Sequence, residues 1–307
     1  MKRYQAVHTL ILFVAMMSAL VTRDASSTDA GTGMTELENA TYSGIEGQQV
    51  TLADGRWEGA PYVEGGAARP AVGLVRNILF TGDLDADGSS ETVALLWQSA
   101  SGTGNNIYIA VMKQEAGGYA NIATSLVGDR VKIRGGRIDS GVILLDVLQA
   151  GEDDPMCCPT LLATRSWVLK DGRLEEQKMQ VTGKLSLEVL AQSSWRLTRM
   201  NLHQTLPADA EVTLSFDAGR VYGKSACNRY SADIREGDKP GEIVIGQAML
   251  TRMACADHLM EIESRYLASL SLVSSFSFHV GSLALNGMED DGAPFTMLFS
   301  AQDADTP

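Results

Sequence analysis

The sequence lacks the short motifs that mark the common enzyme classes. It has no G-x-S-x-G elbow, no H-E-x-x-H pair, no Walker loop and no dinucleotide fingerprint. Histidine is scarce, with four residues in a chain of 307. We therefore expect no catalytic residues and a protein that is not an enzyme. A hydrolase that uses carboxylates without a recognisable motif is the enzymatic alternative.

Basic residues are also few: 25 Lys and Arg stand against 38 Asp and Glu, for a formal net charge of −13. A protein that binds nucleic acid needs a basic surface to displace phosphate counterions, so this charge argues against such a partner. The same charge disfavours docking on an anionic lipid surface.

Long apolar runs are absent except near the N-terminus. Lys2 and Arg3 precede an apolar run over Thr9–Val21, which is shorter than the roughly 20 residues that span a bilayer but suits a signal peptide. Small residues follow at the expected cleavage zone, and no cysteine there invites lipid attachment. We assign residues 1–25 to a signal peptide, with an uncleaved anchor as the alternative. We expect a periplasmic or secreted mature chain without a transmembrane span.

The remaining chain is predicted to be mainly β, with two antiparallel β-rich domains. Residues 26–45 are small and polar and predict a flexible tether. Residues 46–175 contain short Val- and Ile-rich runs separated by Gly, Asp and Ser, the pattern of antiparallel strands. Residues 176–190 are charged and predict a linker. We expect the second domain over residues 191–304.

The second domain combines strands with a single packed α-helix. Over residues 255–273, apolar side chains recur at steps of three and four, the spacing of an amphipathic helix. Asp257 is the predicted N-cap, and the acidic residues Glu261 and Glu263 lie near the positive end of the helix dipole.

Several spaced motifs of this second half occur together in one order. "WRL" at 195–197 is followed by "GKSACNRYSADI" at 223–234, then "TRMAC" at 251–255, "EIESRY" at 261–266 and a closing "PFTMLFS" at 294–300. In this order they resemble the META domain, the HslJ-like heat-shock family, over about residues 191–302. The resemblance implies a small antiparallel β domain with one helix. It also implies an envelope or secreted protein associated with stress tolerance, without an established catalytic mechanism.

The turn before the first cysteine of this domain contains the candidate structural residues. Gly219 and Gly223 permit sharp turns at the two ends of a short strand. Asn228 suits a left-handed position, and Arg229 is either structural or part of a binding surface. Ala226 stands where a glycine commonly precedes the cysteine in this family.

Cys227 and Cys255 each end a β-like run within one domain. A disulfide between them would close a loop of about 28 residues and contribute about 3–4 kcal/mol of stability. Two buried free thiols are the alternative. A catalytic thiolate would need a basic partner; the nearby His258 is better explained as a surface or capping group.

A second pair, Cys157 and Cys158, is adjacent in the sequence and is followed by Pro159. Three arrangements stay open: a vicinal disulfide, pairing of each cysteine with one elsewhere in the chain, or free thiols. In an exported protein an even number of cysteines favours disulfides.

The first domain contains the best candidate for a ligand site, "GDLDADGSSE" at 82–91. Asp83, Asp85 and Asp87 alternate, Gly88 lets the backbone turn, and Glu91 adds a fourth carboxylate. Oxygen ligands spaced in this way can converge on one Ca²⁺, and three crowded aspartates repel one another unless a cation neutralises them. The loop resembles the strand–loop–strand calcium loop of FG-GAP repeats. A solvated acidic turn is the alternative.

Together these features predict a non-enzymatic protein of the cell envelope with a structural or binding role in envelope integrity. Its cofactor would be a structural Ca²⁺, its partner an unidentified envelope component or protein, and its state monomeric. A calcium-dependent module that binds a glycan or a protein is the second hypothesis.

Overall fold

The structure is a computed structural model that describes residues 27–99, 104–155, 158–191, 193–202 and 204–302. Within them the fold is mainly β with two α-helices, one of which packs in the C-terminal region, and this confirms the expected fold class. The expected signal peptide, residues 1–25, lies outside the described residues. No helix in the described part of the chain combines the length and the apolar character needed to cross a membrane.

The N-terminal region consists of one helix, a hairpin and two five-stranded antiparallel sheets. Its elements are α1 Ser27–Glu38, β1 Thr41–Ile45, β2 Gln48–Thr51, β3 Arg56–Glu58, β4 Ala71–Gly82, β5 Glu91–Ser99, β6 Asn105–Glu115, β7 Gly118–Asp129, β8 Lys132–Asp139, β9 Val142–Gln149, β10 Leu161–Lys170, β11 Arg173–Glu176 and β12 Gln180–Lys184. The first sheet has the order β3-β4-β5-β6-β7. The second has the order β11-β10-β9-β8, and β12 also pairs with β10.

Alternation along the strands of the first sheet builds two cores, one on each face. In β5, Val93 and Leu95 pack toward the second sheet, whereas Ala94 and Leu96 pack toward α1 and the β1–β2 hairpin. Successive strand residues point to opposite faces, so a strand that is apolar at every position must be covered on both. The N-terminal region therefore has three layers, with the first sheet in the middle.

The predicted tether over residues 26–45 is wrong for most of its length. Residues 27–38 are helical and 41–45 form β1. Leu37, Tyr42 and Ile45 are buried, and the Tyr42 hydroxyl donates a hydrogen bond to the Leu37 carbonyl at 2.9 Å. The physical reason is the second apolar face of the central sheet, which a polar stretch with a few well-placed apolar residues can cover.

The predicted linker over residues 176–190 is also ordered. It contains the last residue of β11, all of β12 and a 3₁₀ helix, Leu187–Leu190. Leu185 and Leu190 are buried in the C-terminal core. The charge of this stretch obscured these few apolar anchors in the sequence.

The C-terminal region is one antiparallel sheet with a helix packed on it. Its elements are β13 Ser194–Met200, β14 Gln204–Thr205, β15 Thr213–Asp217, β16 Arg220–Lys224, β17 Arg229–Glu236, β18 Ile243–Ile245, β19 Met249–Leu250, α2 Asp257–Ser271, β20 Val273–His279, β21 Ser282–Met288 and β22 Pro294–Gln302. The strand order is β18-β17-β16-β15-β13-β22-β21-β20, with β14 beside β13 and β19 beside β17. The two end strands meet at the Glu242–Ser275 bridge, which curls the sheet toward a barrel.

Helix α2 buries the face that the sequence pattern predicted. Ile262, Tyr266 and Leu270 lie in the C-terminal core. The N-cap is Ala256, without a side-chain cap, so the predicted capping role of Asp257 is wrong. Asp257 is instead the first helical residue, where its charge still favours the positive end of the helix dipole.

The two regions contact each other through the β20–β21 turn. The Gly281 amide donates a hydrogen bond to the Ile133 carbonyl at 2.8 Å, and the Asn77 side chain donates one to the Val280 carbonyl at 2.6 Å. Val280 packs against the core between the two N-terminal sheets. The Arg134 guanidinium lies 5.0 Å from the Phe278 ring centroid, a cation–π contact across the boundary.

Candidate functional site

The acidic loop joins β4 to β5, so it is a strand–loop–strand unit as expected. Two residues adopt positive φ: Ala86 at 60° and Gly88 at 86°. A glycine accepts such a conformation without strain, whereas alanine does not. These two positions turn the backbone sharply between the two strands.

Backbone amides of the loop are bound by its own carboxylates. Gly88 N donates to Asp83 Oδ2 at 3.1 Å, and Asp87 N donates to Asp85 Oδ1 at 3.1 Å. Leu84 N, near the start of the loop, donates to Oε2 of Glu91, which follows the loop, at 2.9 Å. The acidic side chains thus fix the shape of the loop that carries them.

Three of the four predicted ligands converge. Asp83, Asp85 and Glu91 each offer one carboxylate oxygen, and these atoms lie within 4.8 Å of one another. Glu91 has a side chain with 0% exposure. Asp83 Oδ1 and Glu91 Oε1 are buried and have no hydrogen-bond partner in the described structure. Buried oxygens without a donor are costly unless something else compensates them.

The fourth predicted ligand, Asp87, lies outside this group and pairs with a lysine on β6. Lys113 Nζ donates to Asp87 Oδ2 at 2.6 Å and lies 3.6 Å from Asp85 Oδ2 and 3.5 Å from Glu91 Oε1. The hydrogen bond from Lys113, followed by those from Ser89, lowers the pKa of Asp87 to about 2. The same bond raises the pKa of Lys113 above its usual range. Both groups are therefore charged at neutral pH.

The donor set of this loop fits Ca²⁺. All three converging atoms are carboxylate oxygens, the hard ligands that calcium prefers. The loop brings four acidic side chains together beside one basic side chain, Lys113.

A second buried glutamate, Glu263 on α2, lies in the C-terminal region and is 6% exposed. Glu263 Oε2 accepts hydrogen bonds from Ser225 Oγ at 2.6 Å and Asn228 N at 2.7 Å, and Oε1 accepts one from Asn228 Nδ2 at 2.9 Å. Burial by itself would raise the pKa of Glu263, but the bonds from Ser225 and Asn228 outweigh it and lower the pKa. The carboxylate binds the turn before β17 to the helix.

This network alters the roles expected for the turn residues. Asn228 is not at a left-handed position; Ala226 is, with φ 75°. Gly219 has φ 78° in the β15–β16 turn as expected. Gly223 lies within β16 rather than at a turn, and an added Cβ would come within 2.0 Å of the Thr213 carbonyl oxygen. Arg229 begins β17 with an exposed side chain.

Asn228 makes further contacts through its side-chain oxygen. Asn228 Oδ1 accepts hydrogen bonds from Met253 N at 2.7 Å and Thr251 Oγ1 at 2.8 Å. The side chain therefore connects the turn to the segment that leads into Cys255, and its role is structural.

The structure pairs Cys227 with Cys255 in a disulfide, with the Cα atoms 5.9 Å apart. His258 Nε2 lies 2.8 Å from Asp209 Oδ2 in an exposed pair. Cys158 is disulfide-bonded. Cys157 lies outside the described residues, and with it the arrangement of the adjacent cysteines.

Sequence reasoning missed Lys113 and the role of Glu263. Lys113 lies one position beyond the Thr92–Met112 pair of β5 and β6, so only the strand register brings it to the loop. Glu263 lies one position after the core residue Ile262, and this proximity to the apolar stripe was the available signal.

The C-terminal region is thus a curled antiparallel β-sheet packed with one helix and closed by an internal disulfide. Residues 188–302 match the family model described as META domain, and this confirms the META-domain prediction for that part of the chain. Among solved structures, the "NMR structure of the protein from Burkholderia xenovorans" is 25% identical, covers 38% of this chain and 85% of its own, and has a TM-score of 0.31. No curated protein matches the chain.

Proposed function

We propose that this is an exported, non-enzymatic protein of the cell envelope whose N-terminal region binds Ca²⁺ at the acidic loop. The observation that carries the calcium proposal is the convergence of Asp83, Asp85 and Glu91, two of which have a buried oxygen that accepts no hydrogen bond in the described structure. A bound calcium would neutralise these carboxylates and tie the end of β4 to the start of β5.

Export is supported by the charged and apolar start of the sequence and by the cysteine pairing. The disulfide between Cys227 and Cys255 favours an oxidising compartment, because cytosolic thiols are kept reduced. Extracellular calcium is millimolar, which suits a structural site of modest affinity.

A non-enzymatic role is supported by how the reactive groups of the META domain are engaged. Cys227 is oxidised, so it offers no thiolate. Glu263 accepts three hydrogen bonds, so it has little capacity to act as a base. His258 pairs with Asp209 at the surface.

The calcium proposal is tested by thermal melts of the mature, unreduced protein in EGTA and in millimolar CaCl₂. A ligand that favours the native state raises the midpoint. Asp85→Asn keeps the acceptor for the Asp87 amide but removes one charge, and we expect it to abolish most of the rise. Asp290→Asn, in an exposed turn, is the control for the charge change. A wild-type midpoint that is the same in EGTA and CaCl₂ would refute the proposal.

The envelope role is tested separately in cells. Deletion of the gene should increase sensitivity to heat or to drugs that penetrate membranes, and expression of the wild-type chain should restore resistance. An unchanged sensitivity profile would contradict the envelope role while leaving the calcium site intact.

A polar cleft of about 540 Å³ favours a second candidate, calcium-dependent binding of a glycan. Its lining includes Glu36, Asn39, Gln49 and Tyr119, which provide hydrogen-bonding groups and one aromatic ring. The Tyr119 hydroxyl lies 3.4 Å from Thr92 Oγ1, next to Glu91, so the cleft and the acidic loop occupy the same end of the sheet.

The glycan hypothesis predicts that wild-type protein binds neutral oligosaccharides on an array in CaCl₂ but not in EGTA. Tyr119→Ala should abolish capture without changing the calcium-induced rise in melting midpoint. Capture that is equal in EGTA would separate the cleft from the metal site, and absence of capture would leave calcium with a structural role alone.

A further inference from the structure

The β6 lysine beside the acidic loop bears on how the loop responds to calcium. Lys113 is the last-but-two residue of β6, and its ammonium lies within 3.6 Å of Asp85, Asp87 and Glu91. Its side chain is 31% exposed, so it has an open path to solvent. The protein thus places a cation of its own, the Lys113 ammonium, at the rim of the candidate metal site.

The ammonium compensates the rim of the loop better than its floor. Only Asp87 receives a hydrogen bond from Nζ, at 2.6 Å. Glu91 Oε1 is 3.5 Å away, too far for a good hydrogen bond, and both it and Asp83 Oδ1 remain without donors. Within the described residues Asp83 has no ion pair and Glu91 has only the longer one to Lys113, so the lysine compensates these two buried oxygens incompletely.

We propose that Lys113 is a tethered cation that competes with Ca²⁺ for the loop and sets its affinity. The inference rests on the proposed calcium function. Without calcium, the ammonium reduces repulsion among the carboxylates and keeps the loop folded. When calcium binds, it repels the Lys113 ammonium, because both are cations bound to the same carboxylates. Nζ then moves away from Asp85 and Glu91 toward solvent and keeps its contact with Asp87.

This arrangement has a regulatory consequence. An intramolecular competitor weakens calcium binding while it limits the loss of stability when calcium is absent. The loop would then respond to a change in external calcium without unfolding at the low end of the range.

The test uses the full mature chain with Lys113→Gln, Lys113→Arg and the control Lys170→Gln, which removes an exposed lysine at the end of β10. Calcium affinity is measured by titration calorimetry with CaCl₂, and loop stability by melting in EGTA. We expect Lys113→Gln to tighten the Kd for calcium about tenfold and to lower the midpoint in EGTA. Lys113→Arg should stay close to wild type in both, and Lys170→Gln should change neither.

The outcomes distinguish this inference from the calcium proposal. If wild type binds calcium but Lys113→Gln has the same or a weaker affinity, the competition by Lys113 is refuted and the calcium site stands. If neither chain binds calcium, the proposed function fails and the inference fails with it. If only Lys113→Gln binds, Lys113 competes with calcium as inferred, but the proposed calcium function of the wild-type chain fails.

Discussion

Two buried glutamates, one in each region, have opposite surroundings. Glu263 is surrounded by donors: three hydrogen bonds use both of its oxygens, and all come from the turn that it supports. Glu91 receives one hydrogen bond, from Leu84 N, and its other oxygen is buried with no hydrogen-bond donor and only a 3.5 Å ion pair to Lys113. The fold satisfies the first carboxylate and leaves the second incomplete.

The difference shows how to distinguish a buried carboxylate that stabilises the fold from one that is available to bind a metal ion. A buried carboxylate is costly unless it is paired or hydrogen-bonded. Where the protein supplies all the donors, the group is part of the scaffold and needs nothing from outside. Where the protein leaves a buried oxygen without a hydrogen bond beside other acidic groups, an external cation can complete the site.

The largest expected effect on stability is in the C-terminal region, from loss of its disulfide. Replacing both Cys227 and Cys255 by Ala should lower the free energy of unfolding by about 3–4 kcal/mol, because the 28-residue loop gains freedom in the unfolded chain. Urea unfolding measures this, and the loss should be equal in EGTA and CaCl₂. A loss that disappears in CaCl₂ would break the separation between the two regions.

Glu263→Gln should cost about 2–3 kcal/mol, since an amide can no longer accept all three hydrogen bonds and the donors of Ser225 and Asn228 lose a charged partner. Glu261→Gln, at an exposed position on the same helix, is the matched control and should change stability little. Urea unfolding of both variants provides the measurement. Equal stabilities would show that the network around Glu263 does not brace the turn.

The difference in unfolding free energy between wild type and Glu263→Gln should depend on pH, because the pKa of Glu263 is lowered in the folded state. A carboxyl whose folded pKa lies below its unfolded value of 4.5 stabilises the fold above pH 4.5, and this contribution is lost as the pH falls through the folded pKa. The gap in unfolding free energy between wild type and Glu263→Gln should therefore narrow below about pH 4.5. A gap that widens in acid would reverse the assigned sign.

The same substitution at the incomplete carboxylate should behave differently. Calcium at ten times its Kd should stabilise wild type by about 1.4 kcal/mol. Glu91→Gln should remove this gain, because the site loses a charged ligand, and it should cost less in EGTA than Glu263→Gln does. Differential scanning calorimetry in the two buffers checks both points. A calcium gain that survives in Glu91→Gln would exclude Glu91 as a ligand.

The smallest effects come from exchanging residues at two positions of positive φ. Gly88→Ala places a side chain at φ 86° and should cost about 1 kcal/mol. Ala226→Gly relieves φ 75° but loses a buried methyl group, so a gain of about 0.5 kcal/mol or less is expected. Thermal melts of the two variants resolve the signs. A loss in Ala226→Gly would mean that methyl burial outweighs backbone strain.

Local features of the sequence predicted the strands, the helix and most of the acidic loop. Asp83, Asp85 and Glu91 lie within nine residues of one another, so their spacing alone predicted that their carboxylates converge. Lys113 is 22 residues beyond Glu91 and reaches it through sheet register, which no short pattern encodes.

Burial set by distant packing explains the other errors. Residues 27–45 were predicted to be a tether because their composition is polar. They are ordered because they cover the apolar face of β5 that contains Ala94 and Leu96. Glu263 looked like an acid favoured by the helix dipole, because the donors that bury it come from residues 225–228. Sequence patterns predict elements well; they predict poorly which face of one element meets another.

The β20–β21 turn determines where this chain can be divided. Val280 fills part of the neighbouring core, and Gly281 supplies the donor for the Ile133 carbonyl. If residues 188–302 were transferred alone, the β20–β21 turn would lose the N-terminal residues that pack against it. The remaining N-terminal region would have a cavity where Val280 packs. The segment that matches the META family model, residues 188–302, therefore lacks the partners of its own β20–β21 turn, and a division at its boundary would expose Val280 and leave the Ile133 carbonyl without this donor.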